Sequence, residues 1–148
     1  MTAPPAAPAA RGRRLGAVIA VAAATILMAA AVAVWPWAKG YALYHGYLSM
    51  PATIAGTGVA LPASASRCVN CHEGSGGGRI GIAPLDGSTL AIGRRRSGGA
   101  MTVYDRESFC RMLRDGVDPS LVTVSRVMPR FALSDADCDA LWRWTSGR

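Results

Sequence analysis

Residues 68–72 read Cys68-Val69-Asn70-Cys71-His72, and the arrangement of side chains in this short stretch decides how the rest of the chain is read. Two thiols lie three positions apart, and an imidazole follows the second directly. C-x-x-C-H is the attachment motif for c-type haem. Two thiols, one on each side of a helical turn, add across the two vinyl groups of haem. A histidine directly after the second thiol then lies beneath the iron and presents its Nε2. Two other chemistries use C-x-x-C. A thioredoxin-like redox pair sits in a βαβ context, which the sequence lacks. A zinc site would need Cys110, Cys138 or His45 as further ligands at irregular spacing. Neither alternative requires histidine at position 72.

A distal ligand for iron is sought among the methionines that follow. Met112 lies in a helical pattern with Phe109 and Leu113, which marks it as core. Met101 follows a Gly-rich loop and is a weak candidate. Met128 lies in SRVMPRFALSDADC, where Pro129 disfavours helical backbone at Met128 and holds it extended. Met128 is therefore the expected axial partner of His72.

Upstream, Leu15 to Ala38 form a block of 24 residues without a charge, ten of them alanine. A helix needs about 20 apolar residues to cross the hydrocarbon core. Arg11, Arg13 and Arg14 precede the block, so the N-terminus is expected in the cytoplasm and the remainder exported. Trp35 and Trp37 stand where an interfacial aromatic belt belongs, and Pro36 is expected to stop or kink the helix. A signal peptide cleaved near Ala31 and Ala33 is the alternative, with the same export. Gly16, Ala20 and Ala24, four apart, are read as part of a merely Ala-rich anchor, with close docking against another membrane subunit as the alternative.

The net charge of the whole chain is +7, and Gly40 to Arg148 carry twelve arginines against nine acids. That excess is too mild, and too scattered among non-aromatic residues, for a nucleic-acid partner. The expected organisation is a disordered cytoplasmic leader over 1–14, a transmembrane anchor over 15–38, a neutral tether over 39–60 and a haem domain over 61–148. Tyr41, Tyr44 and Tyr47 are read as membrane-surface residues of the tether, and His45 as a linker residue.

Within the last segment, Ala63–Glu73 is expected as a short helix, and 74–93 as a loop broken by GSGGG and DGS. Asp105 reads as an N-cap of a helix ending at Gly116, with Phe109, Met112 and Leu113 inward. Ser134 and Asp137 make a capping signature for a last helix that ends near Gly147, with Cys138, Leu141 and Trp142 inward. No strand pattern stands out. The fold class is all-α. Cys110 and Cys138 lie beside the stripes of their helices and are expected to pair in an oxidising compartment; two buried free thiols are the alternative.

With these residues in view, the chain from Leu61 to Arg148 resembles a membrane-anchored, single-haem class I cytochrome c. CVNCH, Pro84-Leu85, the MPRF run at 128–131 and LSDADCDALWRW at 133–144 carry the resemblance. It implies a small all-α domain around one covalent haem c, attached through Cys68 and Cys71 and ligated by His72 and Met128. It also implies that the Pro84 carbonyl accepts from the His72 Nδ1–H. The family often has glycine after the histidine, where this chain has Glu73. Arg79 and Arg94-Arg95-Arg96, with Tyr104, are candidates for the haem propionates or for steering an acidic partner.

The implied function is one-electron transfer, without catalysis, in a respiratory chain at the bacterial inner membrane. The haem domain would face the periplasm. A quinol-oxidising complex, a terminal oxidase or a periplasmic dehydrogenase would be donor or acceptor. A labile sixth ligand, admitting O₂, NO or CO, is the alternative and would make the protein a sensor or catalyst. A structural subunit with incidental haem is a third reading.

Overall fold

The computed structural model describes residues 9–72, 82, 84–96 and 98–148, with side chains from Leu15 onward. About half of the chain is helical, and one long apolar helix, α1 (Ala9–His45), stands at the N-terminus. The expected disorder of Met1–Pro8 lies outside the described residues. From Leu15, α1 is long and apolar enough to cross a membrane. The chain divides into two compact units, Met1–Trp35 and Pro36–Arg148.

In the first unit, Leu15, Val18, Ile19, Val21, Ile26 and Leu27 are all exposed. In the second unit the first element is the rest of α1. The helix continues through Pro36 rather than stopping there. Proline removes one backbone donor, and long helices accommodate that loss when packing holds the turns beyond it. Here packing does: Leu43 and Tyr44 are buried in the core of this unit, and Trp37 meets Trp144 edge-on with ring centroids 4.3 Å apart.

The neutral stretch read as a tether is therefore part of the folded unit. Beyond α1, Met50, Ala52 and Ala55 are buried, and β1 (Ala52–Thr53) pairs antiparallel with β4 (Arg130–Phe131). Tyr44, read as a membrane-surface residue, is 1% exposed. His45 ends α1 with its ring 4.3 Å from that of Tyr41.

The remaining helices are α2 (Val69–His72), α3 (Gly87–Leu90), α4 (Arg106–Asp115) and α5 (Asp135–Ser146). Between α3 and α4, β2 (Arg94–Arg95) and β3 (Met101–Thr102) form a second antiparallel pair. The two small sheets correct the expectation of no strands. Two-residue strands have too few positions to show an alternating pattern. Helix α3 replaces part of the loop expected over 74–93. Asp86 caps it, its carboxylate accepting from the Thr89 N–H at 2.8 Å.

Helices α4 and α5 form the centre of the unit. Asp105 caps α4 through a reciprocal pair of bonds with Ser108, and Gly116 ends it in the left-handed conformation. Phe109, Met112 and Leu113 are buried, as their spacing predicts. Ser134 caps α5 by accepting from the Asp137 N–H at 3.1 Å. Cys138, Leu141, Trp144 and Thr145 face inward, while Trp142 is half-buried against Phe109. The stripe differs from the expected one because the end of α1 covers a second side of α5. A disulfide joins Cys110 on α4 to Cys138 on α5, and Arg106–Asp139 and Arg114–Asp135 ion pairs flank it.

Candidate haem-attachment site

The CVNCH stretch forms a single helical turn. The Cys71 and His72 N–H groups both donate to the Cys68 carbonyl, at 3.2 and 2.9 Å. The expected longer helix over Ala63–Glu73 is broken after Ser66. Ala65 and Ser66 close a separate turn on the Pro62 carbonyl, and the Asn70 amide donates back to the Ser64 carbonyl at 2.9 Å. Ser and Asn side chains offer the backbone local bonds that compete with helix. Glu73 lies outside the described residues.

Cys68 is buried in the apolar core and Cys71 is half-buried, and both are free thiols. Burial pushes the Cys68 thiol up to about 12. A thiol–disulfide exchange site works the other way, with a lowered thiol pKa that supplies thiolate at neutral pH. The redox-pair alternative is thus disfavoured by the environment of its first cysteine. The zinc alternative loses Cys110 and Cys138, both consumed in the disulfide. Among the described residues no group of three His, Cys, Asp or Glu side chains forms a metal cluster. A haem site draws on a different donor set, two thiols for the macrocycle and one imidazole plus one thioether for the metal.

His72 is half-buried at the end of α2, and its carbonyl accepts from the Tyr44 hydroxyl at 2.9 Å. Met128 is half-buried and packs against the same apolar cluster that contains Cys68 and Leu85. Met128, 60 residues beyond Cys68 in sequence, thus packs against the core cluster that holds the first thiol of the motif. Pro84 is half-buried beside Leu85, which is in the cluster.

Backbone bonds hold Met128 from both sides. Its N–H donates to the Ser125 carbonyl at 3.1 Å, and its carbonyl accepts from the Arg130 guanidinium at 2.7 Å. That guanidinium lies over Gly116, where any Cβ would collide with it. The preceding loop is closed on the buried Asp118, whose Oδ1 accepts from the Ser120 and Val122 N–H groups at 2.9 Å each. Arg130 is half-buried. Its only sequence signal is its place two residues after Met128. Tyr44 had no signal at all, because nothing local links position 44 to position 72.

Of the arginines expected near haem propionates, Arg79 lies outside the described residues. Arg94 and Arg95 are exposed on β2. Arg96 donates to the Thr89 carbonyl at 2.9 Å and to that of Thr102, and lies 4.7 Å from the centroid of the Tyr104 ring. Its guanidinium is committed to closing the 89–104 segment. No family model matches the chain, and no curated protein or solved structure matches it either.

Proposed function

We infer that this protein is a membrane-anchored monohaem electron carrier of the c type. The observation that carries the reading is the CVNCH turn, with free thiols at 68 and 71 and an imidazole at 72, while the other two cysteines are joined to each other. In an exporting compartment, where accessible thiols tend to oxidise, a pair kept for attachment chemistry is the simplest account.

Haem c, when bound, supplies a one-electron Fe(III)/Fe(II) couple. Cys68 and Cys71 would hold it through thioethers, each S–H adding across one vinyl group. His72 and Met128 would be the protein ligands to the iron, a donor pair that favours electron transfer over ligand activation and raises the potential. The Arg130 guanidinium fixes the Met128 carbonyl and limits the swing of that segment. Pro84 would accept from the His72 Nδ1–H and so set the tautomer that coordinates. Helix α1 would keep the carrier in the bacterial inner membrane with the haem unit in the periplasm. Confinement to the membrane raises the local concentration of redox partners. A quinol-oxidising complex, a terminal oxidase or a periplasmic dehydrogenase are the partner classes that fit.

The test is an optical spectrum of the protein produced with haem-attachment machinery, oxidised and reduced, with and without CO. A low-spin reduced spectrum that CO leaves unchanged supports a closed His72/Met128 site. Ready CO binding at neutral pH would replace the carrier reading with gas sensing or catalysis. A denaturing gel without haem-associated peroxidase activity would end both.

A further inference from the structure

We propose that Tyr44, in the last turn of α1, is a positioning residue for His72. The inference rests on the reading of His72 as a haem ligand, and adds a residue that neither the attachment motif nor the resemblance contains. Tyr44 is 1% exposed, and its hydroxyl donates to the His72 carbonyl at 2.9 Å across 28 residues of sequence. Buried tyrosines generally spend the hydroxyl on a specific partner. This partner is chosen tellingly. The last carbonyls of a helix have no intrahelical donor, and α2 ends at His72.

Helix α2 has four residues, far below the length at which a helix holds itself in water. Its last residue must be held by something else. Tyr44 is suited to that because it is itself buried. The Arg148 guanidinium lies 5.1 Å from the centroid of the Tyr44 ring. Arg148 is anchored in turn, its carbonyl accepting from the Gly87 N–H at 3.2 Å. The His45 ring is 5.2 Å away on the other flank. The backbone of residue 72 is thus tied to a buried residue of the core, and a fixed backbone limits the directions its imidazole can take. A ligand fixed before the metal changes oxidation state needs little reorganisation when it does.

The test uses the full-length holoprotein in detergent, wild type against Tyr44→Phe, which keeps the ring and removes only the hydroxyl. Leu43→Ala serves as a control that weakens the same turn of α1 without touching the bond to His72. The Tyr44→Phe protein is expected to retain covalent haem and to exchange the Cys71 and His72 amide protons at least tenfold faster. It is expected to shift its redox equilibrium with a reference couple threefold or more and to move the hyperfine-shifted His72 resonances. Leu43→Ala is expected to lower the unfolding midpoint but to leave those resonances in place. Haem present in both proteins, with identical His72 resonances and amide exchange, would overturn the positioning role alone. Absence of covalent haem from the wild type would overturn the carrier reading and the positioning role with it. If Tyr44→Phe does not fold, the wild type still decides: a cross-peak between an exchange-protected Tyr44 hydroxyl proton and residue 72 is required, and its absence would refute the bond.

Discussion

Gly40 on α1 lies directly against the carbonyl of Ala140 on α5. A Cβ built on Gly40 would collide with that oxygen and come within 2.7 Å of the Trp144 Cβ. The close approach lets the end of α1 settle onto α5, where Lys39 also pairs with Asp137 at 2.6 Å. Gly40 therefore makes the last turns of α1 an element of the folded unit.

Gly40→Ala is expected to destabilise the Pro36–Arg148 unit by about 2 kcal/mol, within the range for overpacked sites. Helix propensity alone favours alanine by up to about 1 kcal/mol, so a stabilised variant would show that the contact is loose. Thermal unfolding of the full chain in detergent, followed by near-ultraviolet circular dichroism from the tryptophans, reads the difference.

The Cys110–Cys138 disulfide closes a loop with a sequence separation of 28. Constraint of the unfolded chain over such a loop is worth about 3–4 kcal/mol in the entropic account. The double variant Cys110→Ser/Cys138→Ser is expected to lose that much in denaturant titrations. A companion measurement is a thiol count on denatured, unreduced protein. Holoprotein is expected to show no reactive thiol, and apoprotein two.

Met128→Ala is expected to open the sixth position. The variant should bind CO when reduced, and its potential should fall, since thioether ligation raises it. Arg130→Ala should leave the donor in place but free the Met128 carbonyl, giving CO binding slower than in Met128→Ala and faster than in wild type. Stopped-flow mixing with CO separates the three.

Acid should weaken the fold at the helix caps. The Lys39 ammonium and then the Ser134 hydroxyl, both bonded to the Asp137 carboxyl, hold it below its ordinary value of 3.8. Bonds from the Ser108 hydroxyl and N–H do the same for Asp105. Depressed carboxylates stabilise the fold in full above their unfolded value, and that stabilisation is lost as pH falls through the lower folded values. Stability should therefore be level from neutrality to about pH 5 and decline below about pH 4. Asp137→Asn should flatten part of that decline, by less than about 1 kcal/mol because both partners reach solvent. Urea midpoints measured from pH 7 to pH 2.5 check the sign.

Much of this protein is legible without coordinates. The apolar run from Leu15 is a helix because a long uncharged stretch has few other stable forms. Helices α4 and α5 are bounded by Asp105, Gly116 and Ser134, whose capping chemistry acts within a few residues. The proposal for haem likewise rests on five adjacent residues. What the sequence determined by itself is whatever depends on short-range chemistry: caps, helical periodicity, the length of the apolar run and the thiol–thiol–imidazole spacing.

Tertiary structure alone decided the rest. It drew Leu43, Tyr44, Met50 and Ala52 out of the expected tether and into the core, because their burial depends on surfaces presented by parts of the chain distant in sequence. It paired Ala52 with Phe131 and Arg94 with Thr102 in strands too short to declare themselves. It set the Tyr44 hydroxyl on His72 and the Arg130 guanidinium on Met128. A neutral, charge-free stretch reads the same whether it hangs in solvent or lies in a core. The difference is made only by the partner surface that removes it from water.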